Sequence, residues 1–99
     1  MAPERGYPLF PLGRVVATPG ALEVLEQTGT DALGLLRRHA AGDWGEVPPE
    51  DAHENARSVR NGWRVLSSYP VGDSEARERV WVITEADRSS TCLLLPEEY

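Results

Sequence analysis

The sequence predicts an α+β fold: two or three short N-terminal helices packed on a C-terminal antiparallel β-meander of three strands. Three observations carry this expectation. Helix start and stop signals crowd the first two-thirds of the chain. Strand-type runs rich in Val, Ile, Trp and Leu fill the last third. A reversing cluster, Ala86-Asp87-Arg88-Ser89, separates the two most apolar of those runs.

Residues 1–11 carry Pro3, Pro8 and Pro11 and are expected to form an extended arm with Tyr7, Leu9 and Phe10 available to dock. Residues 12–99 form a single domain. Arg14-Val15-Val16-Ala17 is a short β-type run that can add to a sheet edge. Thr18-Pro19 then starts a helix, with a hydroxyl N-cap followed by proline at the first helical position, and Gly29 stops it. Thr30-Asp31 caps a second helix, whose apolar face comprises Ala32, Leu33, Leu35, Leu36 and Ala40. Arg37, Arg38 and His39 sit near its C-terminal end, and Gly42 ends it. After the loop 43–48, Pro49 to Asn61 reads as a third, polar helix with acids first and arginines last. Trp63 to Tyr69 alternates as a strand, 70–77 is a turn-rich connector, and Arg79 to Thr84 is the strongest strand. Thr91 to Leu95 is the last strand, closed by Pro96.

The composition excludes several functions. With 99 residues, one core can bury about two-thirds of the unfolded chain's surface, so folding needs neither disulfide nor metal. All ten basic residues are arginines, so a lysine Schiff base or a P-loop lysine is impossible. Sixteen acids leave a net charge of −6, opposed to generic nucleic-acid or anionic-membrane binding. The lone Cys92 excludes an internal disulfide and fits a reducing cytoplasm. No signal peptide or membrane span is read, so a cytoplasmic protein is expected.

Three places have residues suited to chemistry or contact. The hairpin tip holds Glu85, Asp87 and Arg88, a carboxylate pair beside a guanidinium that can do acid–base work or hold an oxyanion. With His39 or His53 brought close, it would make a small hydrolase or nuclease. The plain alternative is a turn held by its own Asp and Ser hydrogen bonds. Arg57, Arg60 and Arg64 form a basic stretch that can touch phosphate, although acids at a helix start and bases at its end also match the helix dipole. Trp44, in a glycine-flanked loop, is either a core anchor or a binding hot spot. The two histidines lack metal-ligand spacing, no Gly-x-Ser-x-Gly elbow occurs, and no cofactor or metal is expected.

Five blocks in order carry a resemblance: Phe10-Pro11-Leu12-Gly13, Ala17 to Leu22, Gly42-Asp43-Trp44-Gly45, Ile83 to Ser89, and Leu94 to Tyr99. Together they resemble a family of small bacterial proteins, about 100 residues long, carried on plasmids and other mobile elements. The stretch 72–78 is longer than that family's usual connector. The resemblance assigns no catalytic residue; it implies an accessory role, such as modulating host defence, replication or a toxin.

The expected function is binding of another protein, with Trp44, Glu85, Asp87 and Arg88 as contact points. Alternatives are the hydrolase or nuclease at the tip, an inhibitor of the anti-restriction or anti-CRISPR type, and nucleic-acid binding through Arg57, Arg60 and Arg64.

Overall fold

The structure is a computed structural model, and it describes residues 8–72 and 78–99. Tyr7 of the expected arm and most of the expected connector lie outside those residues. The elements are β1 (Arg14–Ala17), α1 (Pro19–Thr28), α2 (Ala32–Ala40), α3 (Pro49–Asn61), β2 (Val65–Val71), β3 (Glu78–Thr84) and β4 (Ser90–Leu94). A 3-10 turn, Pro96–Glu98, follows. The chain is α+β, and its sheet has four strands in the order β1-β4-β3-β2.

The three-strand meander is one part of a mixed sheet. β2, β3 and β4 pair antiparallel, while β1 pairs with β4 in parallel. The connectivity permits the parallel sense. β1 reaches its partner across three helices and two strands rather than through a hairpin.

Each helix boundary has a local cause. The Thr18 hydroxyl accepts the Ala21 N–H, and Gly29 closes α1 at φ 65°. Asp31 accepts the Leu33 N–H to open α2, and Gly62, at φ 76°, ends α3. Along β2, β3 and β4 the alternation sends Val65, Ser67, Tyr69, Val80, Val82, Thr84, Thr91 and Leu93 to one face, all of them buried. α1 and α2 cover that face with Ala21, Val24, Leu25, Leu35 and Leu36.

Two local expectations need correction. The strand after α3 begins at Val65, leaving Trp63 outside it and 42% exposed. It then runs through Pro70 to Val71. Proline is tolerated there because the even-numbered residues of β2 direct their N–H groups away from β3, so no ladder bond is lost. The C-terminal tail folds into the 3-10 turn Pro96–Glu98. Glu98 Oε1 accepts the Thr18 hydroxyl at 2.7 Å and the Leu95 N–H at 2.8 Å, which hold its carboxyl below the usual range. The Tyr99 ring meets Trp81 edge-on.

The free edge of β2 is sealed. Asn55 of α3 donates to the Leu66 carbonyl at 2.7 Å and accepts the Leu66 N–H at 3.2 Å, as a neighbouring strand would. Ser68 N–H donates to the Trp44 carbonyl, and Glu46 N–H to the Ser68 carbonyl. Pro70 has no N–H to expose. Gly45 allows this approach: it sits at φ 75°, and a Cβ there would run into the Ser68 carbonyl.

Candidate functional site

His39 lies on the same side of α2 as Leu35 and Leu36 and is fully buried. Its Nδ1 lies 2.6 Å from Ser67 Oγ, and its Nε2 lies 2.9 Å from Thr84 Oγ1. Thr84 Oγ1 is 2.6 Å from Thr91 Oγ1, which donates to the Leu12 carbonyl at 2.8 Å. Counting protons along this chain fixes the tautomer. Thr91 spends its hydroxyl proton on Leu12, so Thr84 must donate to Thr91. The His39 Nε2–H then donates to Thr84, and Nδ1 accepts the Ser67 hydroxyl.

A hydroxyl aimed at a neutral imidazole is the pairing that acyl transfer uses. Here both side chains have 0% exposure, so a substrate cannot reach them. Phe10 and Trp44 pack around the imidazole, each edge-on, at 5.4 and 6.1 Å. Burial and then the nearby Arg88 charge push the His39 pKa down to about 4. The ring is neutral at pH 7.

The hairpin tip is tied to its surroundings. Arg88 adopts φ 61°, and its guanidinium donates to the carbonyls of Trp63 at 2.6 Å, Ser58 at 2.9 Å and Glu85 at 3.2 Å. It also lies over the Phe10 ring. It thereby clamps the β3–β4 turn to the C-terminal end of α3. Glu85 pairs with Arg64 at 3.4 Å. Asp87 accepts the Ser89 N–H; the Ser89 hydroxyl and then this N–H lower its pKa. Thus the structure brings both His39 and Arg88 against Phe10, while Glu85 turns to Arg64 and His53 stays exposed on α3. Among the described residues, no three His, Cys, Asp or Glu side chains gather as a metal site.

Trp44 is half-buried, stacked on Phe10 and edge-on to His39. Its neighbour Asp43 pairs with Arg38 at 2.7 Å, and this hydrogen bond holds the carboxyl below its usual range. Burial pushes the Tyr69 phenol up to about 12; its hydroxyl donates to the Asp43 carbonyl. The Gly42–Gly45 block therefore builds the cover of the β2 edge. Of the basic stretch, Arg57 lies over the exposed Trp63 ring, Arg64 holds Glu85 and the Tyr99 hydroxyl, and Arg60 is exposed in the last turn of α3.

A different place is open to a ligand. Between α2 and β1 lies a groove of about 400 Å³, lined by Leu12, Val15, Leu33, Leu36, Arg37 and Ala40. That volume falls within the range of about 300–1,000 Å³ typical of ligand-accepting clefts. Val15 is 44% exposed and Leu33 52%. Sequence periodicity missed this site, because it puts Leu33 on the apolar face of α2 with the core residues. Its signal is the width of that face: five apolar positions on a nine-residue helix are more than one side can bury.

No family model matches the chain, and comparison with curated proteins and with solved structures gives no match either. No described helix is long and apolar enough to cross a membrane.

Proposed function

We propose that the protein is a small accessory module of the cytoplasm that works by binding another protein, and that the partner sits in the groove between α2 and β1. The observation that supports this most directly is the solvent-facing aliphatic surface of Val15 and Leu33 beside that groove. The polar groups that chemistry would need are otherwise engaged: His39 and Ser67 in the core, Arg88 on backbone carbonyls, and Glu85 on Arg64. Of the contact points expected from sequence, Asp87 is exposed, whereas Trp44 spends its ring on Phe10 and His39. The likeness to plasmid-borne proteins suits such a role, with inhibition of a host restriction or CRISPR system as one form of it.

The test compares wild type with Leu33→Glu, a substitution at a half-exposed position that leaves the core intact. From bacterial lysate, wild type should retain one stoichiometric partner that Leu33→Glu loses, with both proteins showing the same thermal unfolding. Equal retention by both, or no stoichiometric partner, refutes the reading.

A further inference from the structure

We propose that β1 is a strand-addition site, and that its occupant is an extended segment of another protein bearing apolar residues flanked by acids. The proposal rests on the protein-binding reading above and gives the partner its chemistry.

The two edges of the sheet are treated oppositely. On β2 the outward groups of Leu66 and Ser68 are satisfied, by Asn55 and by the 44–46 loop, and Pro70 offers no N–H. On β1, Arg14 N–H donates to the Ser89 carbonyl and Thr18 N–H to the Leu93 carbonyl, so even-numbered residues bond to β4. By the alternation of a parallel ladder, the N–H and C=O of Val15 and Ala17 point outward. Among the described residues no chain segment covers them. An unpaired edge of this kind templates a further strand. The groove lies on the helix-covered side of the same edge, so alternate side chains of an added strand would enter it against Val15, Leu33 and Leu36.

Charge selects the occupant. Arg38, Arg64 and Arg79 each pair with an acid. Arg14 and Arg37 have no acidic partner among the described residues, and both stand at this edge: Arg14 opens β1, and Arg37 lines the groove. On a chain of net charge −6, two guanidinium groups without an acidic partner among the described residues, Arg37 on the groove side of this edge and Arg14 on the other face of β1, favour an acidic segment. A second copy fits less well, since a two-fold interface would set Arg14 and Arg37 near their own duplicates.

The probe is a displayed library of random twelve-residue peptides, selected against the full chain and followed by affinity measurement on the winners. The expected winners alternate aliphatic residues and carry acids. Their binding should fall at least tenfold in Val15→Pro, which removes an outward N–H without touching the β1–β4 ladder. It should fall about fivefold in Arg37→Glu, with less effect at high salt. Amide exchange on wild type gives a readout independent of any variant: the Val15 and Ala17 amides should become protected when a winning peptide is added. Winners that depend on Leu33 but leave those two amides exchanging freely overturn strand addition while sparing the groove. Winners of basic composition, or a concentration-dependent dimer that excludes peptide, overturn the proposed occupant. An absence of winners, or winners indifferent to Leu33→Glu as well, removes the groove reading itself.

Discussion

Protonating His39 would place a charge in a core site whose neighbours are Ser67, Thr84, Phe10, Trp44 and the Arg88 guanidinium, with no acid among the described residues to compensate. The folded pKa of about 4 lies below the ordinary 6.5, so between those values the unfolded chain binds more protons than the folded one. Stability therefore rises with pH across that window, is complete above pH 6.5, and is lost as pH falls toward 4. At about 1.36 kcal/mol per unit, the full shift corresponds to about 3 kcal/mol, of which about 2 kcal/mol is gone by pH 5. That is a large part of the 5–15 kcal/mol typical of a domain. Urea unfolding of wild type and His39→Gln at pH 8, 7, 6 and 5 isolates the effect, because glutamine does not titrate. Asp43, Asp87 and Glu98, whose pKa values are all lowered, lose their contributions only at more acidic pH. Wild type should lose about 2 kcal/mol more than the variant between pH 8 and 5. A constant difference between them, or a His39 ring resonance titrating near 6.5, would refute the tautomer and the burial argued above.

Two further substitutions probe the clamps around the sheet. Arg88→Met keeps an apolar stem on Phe10 but removes the bonds to the Trp63, Ser58 and Glu85 carbonyls; it should cost about 2 kcal/mol in urea unfolding and raise the His39 pKa by NMR, whereas a loss under about 0.5 kcal/mol would show the clamp to be ornamental. Asn55→Ala should cost about 1–2 kcal/mol and speed exchange of the Leu66 amide, while an unchanged exchange rate would mean that Asn55 does not seal the β2 edge.

Legibility in the sequence followed the range of the interactions. Thr18-Pro19, Asp31, Gly29 and Gly62 act on their own neighbours, so α1, α2 and α3 lie where their caps predict. The meander was legible for the same reason, since 86–89 reverses the chain locally. What escaped was non-local. Ser67, Thr84 and Thr91 occupy inward strand positions, and His39 follows Leu35 by one helical turn; those positions hint at burial, but only pairing of β2, β3 and β4 places the three hydroxyls around one ring. Arg88 was legible as a polar tip residue, yet two of its acceptors are the carbonyls of Ser58, near the end of α3, and of Trp63, between α3 and β2. The β1 edge depended likewise on which strand β1 joins, which no local pattern specifies.

That parallel pairing makes the two ends of the chain depend on each other in time. The Thr91 bond to Leu12 spans 79 positions, and the Thr18 bond to Glu98 spans 80. Contacts so distant form late, since nearly the whole chain must be closed into a loop before they are rewarded. During synthesis, β1 has no neighbour until Ser90–Leu94 has left the ribosome. The β1 side of the groove and its open edge thus require β4 to be in place. A partner docking there would therefore read a surface that exists only once β1 and β4 have paired.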